Sequence, residues 1–560
     1  MKNIPIGEVL KEDGFITQQQ IDEALRQQQN NGKRLGTILV EMGFVTEKQV
    51  LGALGKRLNL SLVNLSRSHI DIDAVSKIPR QIAVKYNIIA LREENGRLFI
   101  AMSDPLNFYA QEDIKQITGM PIEILLAESA KIENAITQAY SDADARIAAR
   151  QANSSADDLQ MPDVEAFDDN GDDSDAPVIK LINSLLEMGD SKNVSDIHIE
   201  PFEKNTSVRV RIDGMIIDYM TLSKSIHQSV IARIKIMSNL DIAEKRLPQD
   251  GHFKTIINDS VINIRVSVIP TVFGEKAVMR FLSSNDKPLD NSGQFGMNDR
   301  AFAAVSRMLR SPHGIIYLTG PTGSGKTTTL YMMLEALAQQ QINISTIEDP
   351  VEKNIKRVNQ MQVNNVAGLT FETGLRALLR QDPDVIMVGE TRDAQTASIS
   401  VRSAITGHLV LSTLHTNDAI SSVIRLRDMG VPDYLTANSL IGAVAQRLMR
   451  KICTHCAYDD YPTDEEKRII GSDVKYVRRG RGCEYCSHTG YRGRIAVHEV
   501  FCLDRNIRTM ISERADMQKI YDYAENVQHM DRLSSSAMEL VRKGITTVDE
   551  YLRVTYGTEL

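Results

Sequence analysis

The stretch HGIIYLTGPTGSGKTTTLYMML, residues 313–334, decides the fold of the carboxy-terminal part of the chain. Its centre, residues 320–327, matches G-x-x-x-x-G-K-[ST] at every fixed position. The apolar run IIYLT predicts a strand before the loop, and Leu330 and Leu334 repeat at the spacing of one helix face after it. Strand, glycine-rich loop and helix in this order predict a phosphate-binding loop (P-loop) rather than an ordinary turn.

The P-loop predicts an ATP site that uses Mg²⁺. Backbone N–H groups at the helix N-terminus surround the phosphates, while Lys326 is expected to reach the β- and γ-phosphates and Thr327 to bind Mg²⁺. The predicted ATP-binding residues are Gly320, Pro321, Thr322, Gly323, Ser324, Gly325, Lys326, Thr327 and Thr328.

Three predicted strands downstream end in candidate catalytic side chains. ISTIEDPVE carries Glu348, DPDVIMVGETRD carries Glu390, and TGHLVLSTLHTNDA carries His415. A carboxylate at a strand end beside a P-loop can complete the Mg²⁺ shell or orient the attacking water, and a histidine there can sense the γ-phosphate. An exposed strand-end acid or a structural histidine is the alternative for each residue taken alone.

Four cysteines form two C-x-x-C pairs, Cys453 with Cys456 and Cys483 with Cys486, separated by 26 residues. Four thiolates at this spacing are typical of a tetrahedral zinc site. Because disulfides are disfavoured in a reducing cytoplasm, we predict structural zinc in an insert at about residues 450–490. Redox chemistry and unused thiols are the alternatives.

The chain has 560 residues, a length that predicts three or more domains. Its composition is that of a soluble globular protein, since 42% of the residues are hydrophobic and 25% are charged. No stretch approaches the roughly 18 consecutive apolar residues of a membrane span, and the first residues lack the apolar core of a secretion signal. We therefore expect a cytoplasmic protein.

The formal net charge is −8, but nine acidic residues and no Lys or Arg lie within residues 157–175. The remainder is close to neutral, which argues against general nucleic-acid binding.

The order of the patterns predicts a multidomain α/β chain. Residues 1–145 are expected to form an N-terminal domain, with a helical part followed by an α+β part. Residues 146–176 contain the acidic run, which is too charged and too poor in apolar residues to fold, and are predicted to be a flexible linker. A second α+β domain is expected over residues 177–285, and a RecA-like α/β P-loop ATPase domain with the zinc insert over residues 286–560.

The helical part contains an ungapped repeat with a period of 29 residues, over residues 5–57. Each copy carries Thr-x-x-Gln, which is typical of a capping box at a helix start. Gly14 and Gly43 stand where the preceding helix should end. Each copy is therefore predicted to form two short helices.

The motif order GPTGSGKTT, IEDPVE, LRQDPDVIMVGE and TGHLVLSTLHTND resembles the secretion ATPase superfamily, in particular its GspE/PilB branch. SDIHIEP, LDIAEKRLPQDG and IPTVFGEKAVMR resemble the second domain of that branch, so the resemblance covers nearly the whole chain. It implies a homohexameric ATPase at the cytoplasmic face of the inner membrane, peripherally associated through an inner-membrane platform protein. The implied output is type IV pilus assembly or type II secretion, and the tetracysteine insert is typical of the assembly ATPases.

The resemblance also implies roles for individual residues. Glu348 corresponds to the base that polarises water, Glu390 closes the Walker B strand, and His415 lies in the histidine box. Arginines of the second domain complete the catalytic site in such rings, and Arg265 and then Arg280 are the candidates.

The 29-residue repeat resembles the tandem cyclic di-GMP-binding motif of MshE-type amino-terminal domains. The matching positions are Gly7, Leu10, Gly14, Leu25, Gln28, Arg34, Leu35, Gly36, Leu39, Gly43 and Leu54. The first copy has Pro5 where the motif has arginine, and Arg57 replaces the final glutamine of the second copy. The resemblance implies cyclic di-GMP as a ligand, and a helical docking module without ligand is the alternative.

Two other functions are compatible with these motifs. A nucleotide-gated scaffold that senses cyclic di-GMP would bind the ligand with negligible ATP turnover. A DNA-uptake or translocase motor would hydrolyse ATP faster when DNA is present. The intact Glu348 and Glu390 argue against the first, and the lack of a basic excess argues against the second.

Overall fold

The computed structural model describes residues 5–31, 33–65, 68–157, 177–257, 260–282, 295–365 and 367–555. The chain divides into two compact units, Met1–Leu282 and Ser283–Leu560. Among the described residues, no helix combines the length and the apolarity that crossing a membrane requires.

The repeat forms four short helices, two in each copy: α1 (Ile6–Glu12), α2 (Gln18–Asn31), α3 (Leu35–Glu41) and α4 (Glu47–Leu58). The predicted capping boxes are present, since the Thr17 and Thr46 N–H groups each donate to the Oε1 atom of the glutamine three residues later, at 2.8 Å. Gly14 and Gly43 adopt positive φ angles of 76° and 73° just after the first helix of each copy. The predicted helix–turn–helix repeat is therefore confirmed.

The rest of the first domain is a three-stranded sheet with helices. Strand β1 pairs with β2 antiparallel, and β2 pairs with β3 parallel. The elements are α5 (Ile72–Val75), α6 (Arg80–Tyr86), β1 (Ile88–Glu94), β2 (Arg97–Met102), α7 (Phe108–Thr118), β3 (Ile122–Leu126) and α8 (Ser129–Asp157).

Helix α8 corrects one predicted boundary. The linker was expected from residue 146, whereas the helix continues without interruption to Asp157. Ala145, Ala148, Ala149 and Ala152 recur at helical spacing on one face and are buried in the core of the second domain. Small apolar side chains on one face therefore hold this segment in a packed helix. The rest of the predicted linker, residues 158–176, lies outside the described residues.

The second domain is a six-stranded antiparallel sheet in the order β6-β5-β4-β9-β8-β7, with helices on one face. Its elements are α9 (Pro177–Ser191), β4 (Asp196–Pro201), β5 (Asn205–Ile212), β6 (Met215–Ser223), α10 (His227–Met237), β7 (Gln249–Ile257), β8 (Ser260–Thr271) and β9 (Gly274–Leu282). Helix α9 carries the apolar stripe that covers this sheet, including Leu181 and Leu185, which are fully buried.

The carboxy-terminal unit is built on a seven-stranded sheet in the order β12-β11-β13-β14-β10-β15-β18. Six neighbouring strands are parallel, and β18 closes the edge antiparallel to β15. The core elements are α11 (Asp299–Leu309), β10 (Gly314–Thr319), α12 (Lys326–Leu337), β11 (Ile344–Glu348), β12 (Val358–Gln362), α13 (Phe371–Leu378), β13 (Val385–Val388), α14 (Ala394–Ile405), β14 (Leu409–Leu414), α15 (Ser421–Asp428), α16 (Asp433–Ser439), β15 (Leu440–Ile452) and β18 (Tyr491–Cys502).

The inner strands are buried on both faces, which explains their continuous apolar runs. In β10, Ile315 and Tyr317 belong to one core, and Ile316 and Leu318 belong to the core on the opposite face. The insert between β15 and β18 contains β16 (Ala457–Asp460), α17 (Asp464–Ile470) and β17 (Val477–Gly480). Four helices follow β18: α18 (Arg505–Ser512), α19 (Met517–Asn526), α20 (Leu533–Arg542) and α21 (Val548–Thr555).

Candidate functional site

The predicted P-loop segment lies between β10 and the first turn of α12. Gly325 has a φ of 86°, and a Cβ atom there would lie 2.8 Å from Nε2 of Gln446. That amide braces the loop, because Nε2 donates to the Ser324 carbonyl at 2.8 Å and Oε1 accepts from the Thr329 hydroxyl at 2.8 Å. The motif did not reveal Gln446, which comes from the neighbouring strand β15.

Lys326 is buried at the start of α12, with its Nζ atom donating to the carbonyls of Gly320 at 2.8 Å and Pro321 at 3.0 Å. Burial, and then the positive charge of Arg447, lower the pKa of Lys326 to about 8. Arg447 is a second residue that the motif did not reveal. It lies on β15, and its Nη2 atom donates to the Asn417 carbonyl at 2.8 Å.

Glu348 ends β11 and is only 2% exposed. The Tyr331 hydroxyl and the Thr346 hydroxyl both donate to its carboxylate. The Gln360 side chain adds a third donor, from Nε2 to Oε1 at 3.0 Å. The strand-end pattern predicts this carboxylate but not the three side chains that donate to it.

Glu390 and His415 meet beyond the ends of the adjacent parallel strands β13 and β14. The Nε atom of Arg392 lies 2.6 Å from Oε2 of Glu390, and the His415 Nε2 atom lies 3.9 Å from the same oxygen, which is too long for a hydrogen bond. Burial, and then the charge of Lys326, lower the pKa of His415. Glu390 also acts on Lys326 electrostatically, so these three side chains share one site.

The remaining P-loop side chains differ in exposure. Ser324 is buried, Thr327 is half-buried at the start of α12, and Thr328 faces solvent. Because parallel strands present their carboxyl ends at one edge of a sheet, the P-loop, Glu348, Glu390 and His415 lie along the same edge. This arrangement can bind a triphosphate with its metal ion and present carboxylates to an attacking water.

Arg265 and Arg280 lie in the other unit, at paired positions on β8 and β9. The Arg280 Nε atom donates to the buried Asp196 carboxylate at 2.7 Å. The Arg265 side chain is exposed, and no hydrogen bond or ion pair joins its guanidinium to another residue within the described ranges. The two predicted arginines thus differ in their availability to a ligand.

The four predicted cysteines converge in the insert, with all their Sγ atoms within 4.8 Å of one another. The Sγ atoms of Cys453 and Cys483 are 3.8 Å apart, and so are those of Cys456 and Cys486. A tetrahedron with Zn–S bonds of about 2.3 Å has edges of about 3.8 Å, so the spacing fits zinc. The Gly490 N–H group donates to the Cys486 Sγ atom at 3.2 Å, as expected beside a thiolate.

The repeat residues divide into packing and exposed positions. Leu10 and Leu39 are fully buried between the four helices, and a Cβ atom at Gly36 would lie 2.7 Å from the Val50 side chain. Leu25 is 40% exposed, and Arg34 is exposed and paired with Asp104. The others are Gly7, which is buried; Gln28, whose Nε2 donates to the Lys33 carbonyl at 3.0 Å; and Leu35 and Leu54, which are half-buried.

Comparison with known proteins identifies the family. Residues 171–553 match the family model described as "Type II/IV secretion system protein", more than half of the chain. The chain belongs to this secretion-system family. Residues 58–146 match the MshEN domain, immediately after the helical repeat.

Relatives of this family align over almost the full chain. The type IV pilus assembly ATPase PilB of Myxococcus xanthus is 38% identical over 97% of this chain and 98% of its own length. The type II secretion system ATPase E of Vibrio cholerae is 38% identical over 86% of this chain and 97% of its own length. The predicted resemblance to the GspE/PilB branch and to an MshE-like amino-terminal domain is confirmed.

A solved structure supports the fold. The X-ray structure of the Legionella pneumophila ATPase DotB aligns with a TM-score of 0.50 at 21% identity, over 67% of this chain and 95% of DotB. The multidomain α/β class predicted from the sequence is therefore confirmed, with an MshEN domain ahead of a DotB-like fold.

Proposed function

We propose that this chain is a Mg²⁺-dependent ATPase of the PilB/GspE type that powers type IV pilus assembly or type II secretion. The observation that carries the proposal is the meeting of Lys326, Glu390 and His415 beside the P-loop, with Glu348 at the end of the next strand. Relatives that align over nearly their full lengths are named as pilus assembly and type II secretion ATPases, which agrees with this proposal.

Each side chain has a distinct role in the proposed reaction. Lys326 binds the phosphates. Burial lowers the pKa of Lys326, and the negative charge of the phosphates raises it again, which keeps the lysine protonated. Thr327 and Glu390 offer the oxygen ligands that Mg²⁺ prefers, and the ion offsets charge on the phosphates. Glu348 orients the attacking water, and His415, close to both Lys326 and Glu390, reports the presence of the γ-phosphate.

Of the two arginines, Arg265 is the better candidate to complete the site in a ring. Its guanidinium is exposed and has no partner among the described residues, so it is available to a nucleotide bound by another copy of the chain. Arg280 already holds the buried Asp196 carboxylate. Removing a partner from a buried carboxylate is costly, which favours a structural role for Arg280.

The proposed assembly is a homohexamer at the cytoplasmic face of the inner membrane, docked on a platform protein and without nucleic acid.

The insert is proposed to hold one structural zinc ion through its four cysteines, whose spacing supports this metal. The match to the MshEN domain and the preceding repeat support cyclic di-GMP as a regulatory ligand, with the exposed Arg34 as the residue that would meet it.

ATP hydrolysis by the purified full chain tests the proposal. We expect turnover that requires Mg²⁺ and that falls by about 100-fold or more in Glu348→Gln, since general-base groups contribute on that scale. Glu539→Gln is the matched control, because this glutamate on α20 is exposed and, among the described residues, its carboxylate pairs only with Lys543 on the same helix. Cells lacking the protein should lose pilus extension or protein export.

Other outcomes would contradict the proposal. Cyclic di-GMP binding without ATP turnover would indicate a sensing scaffold, and hydrolysis stimulated by DNA would indicate a translocase. Full hydrolysis by Glu348→Gln would remove the assigned base. Addition of cyclic di-GMP to the same assay, with wild type and Arg34→Ala compared, tests the regulatory ligand.

A further inference from the structure

We infer that Tyr331 is a positioning residue that aims the Glu348 carboxylate at the attacking water. This inference rests on the proposed function, because it takes Glu348 as the group that orients water. Tyr331 lies on α12, five residues after Lys326, and is 6% exposed.

The Tyr331 hydroxyl makes two contacts, one with the last residue of β11 and one with the loop that follows the strand. It donates to Oε2 of Glu348, and it accepts from the Glu352 N–H group at 3.0 Å. One hydroxyl therefore ties the P-loop helix to the carboxylate and to the loop behind it. A phenylalanine at this position would fill the same space in the core and could make neither contact.

The three donors around Glu348 leave about one acceptor position of its carboxylate unoccupied. Oε1 accepts from the Thr346 hydroxyl and from Nε2 of Gln360, while Oε2 accepts from Tyr331. An ionised carboxylate has about four acceptor positions, so three donors leave about one, on Oε2. Because Tyr331 occupies the other position on Oε2, its hydroxyl determines where a water molecule can bind.

Tyr331 is suited to remain a donor during turnover. Burial, and then the negative charge of Glu348, raise the pKa of its hydroxyl far above the ordinary value. The proton therefore stays on Tyr331, and its hydroxyl remains a donor to the Glu348 carboxylate. Since Lys326 and Tyr331 belong to the same helix, any movement of α12 would carry the hydroxyl together with the lysine.

The test is Tyr331→Phe in the full chain, which removes the hydroxyl and keeps the ring. A hydrogen bond to a charged group contributes enough that we expect kcat for ATP hydrolysis to fall about 10- to 100-fold. The KM for ATP and the affinity for ADP should change less than about twofold, because the hydroxyl orients water and does not bind nucleotide. Tyr317→Phe is the matched control, since Tyr317 is fully buried on β10 and makes no hydrogen bond with Glu348.

The same substitution in a Glu348→Gln background separates positioning from packing. Single-turnover hydrolysis resolves the slow rates, and we expect Tyr331→Phe to add no further loss there. An equal loss in both backgrounds, or a wild-type kcat for Tyr331→Phe, would overturn the inference. If Glu348→Gln alone kept wild-type turnover, the proposed function would fail first, whatever the result for Tyr331.

Discussion

At the scale of single residues, Lys326 loses its proton within the pH range of ordinary assays. Its pKa of about 8 follows from burial and from the nearby Arg447, and bound phosphates raise it because they are anionic. ATP therefore binds the protonated form. Affinity should be fully present below pH 8 and fall about tenfold for each pH unit above it, as the free protein loses this proton.

Titration with a fluorescent ATP analogue between pH 6.5 and 9.5 measures this dependence. In Lys326→Met, binding should be weak at every pH, and the slope that begins near pH 8 should disappear. A wild-type affinity that stays constant up to pH 9.5 would contradict the assigned pKa and its cause.

The sequence predicts the residues of the candidate site best where they follow a local spacing of strand and loop. The P-loop, Glu348, Glu390 and His415 were all named from strand-loop patterns, because parallel strands bring their ends to one edge. Gln446 and Arg447 were missed, since they reach the loop only through the sheet order that places β15 beside β10. Tyr331 was missed for another reason, because its helix pattern reads as ordinary core.

At the scale of elements, the insert between β15 and β18 depends on its four cysteines. Substitution Cys486→Ser should lower the zinc content well below one equivalent per chain, because it removes one of the four thiolate ligands. It should also lower the thermal midpoint of the full chain. Metal analysis of the purified variant, together with a thermal melt, measures both effects.

Cys502→Ser is the control for the zinc prediction. This fifth cysteine is half-buried on β18 and lies outside the cluster, so the variant should keep one equivalent of zinc. Full zinc content in Cys486→Ser would show that the four Sγ atoms do not form the site.

At the scale of the whole molecule, α8 contributes to two cores of the amino-terminal unit. Ile132 and Ile136 pack in the core of the first domain, and Ala148 and Ala152 pack in that of the second. Composition predicted a linker from residue 146 because the nearby acidic run dominates the average. Alanines at helical spacing, such as Ala148 and Ala152, indicate a helix here. The acidic residues that begin at residue 157 favour a linker more strongly in the averaged composition.

Brief digestion with trypsin tests this helix. Arg146 and Arg150 are exposed side chains on α8, and we expect neither peptide bond to be cut early, because a packed helical backbone resists entry into a protease site. Ala148→Asp buries a charge in the second core and should accelerate both cuts.

Ile147→Asp is the matched control, because residue 147 lies on the exposed face of α8 and should leave both bonds protected. Rapid cleavage at Arg146 in the wild-type chain would show that a flexible linker begins where composition placed it.

Strand β15 connects the cysteine insert to the P-loop. The strand holds Gln446 against the P-loop, and Cys453 follows directly after its last residue, Ile452. Seven residues of extended chain span roughly 23 Å at about 3.3 Å per residue. A tilt of the sheet by about 5° would displace the far end of such an arm by about 2 Å. Because the insert continues from the strand that braces the P-loop, a small rotation of this sheet would become a larger displacement at the insert.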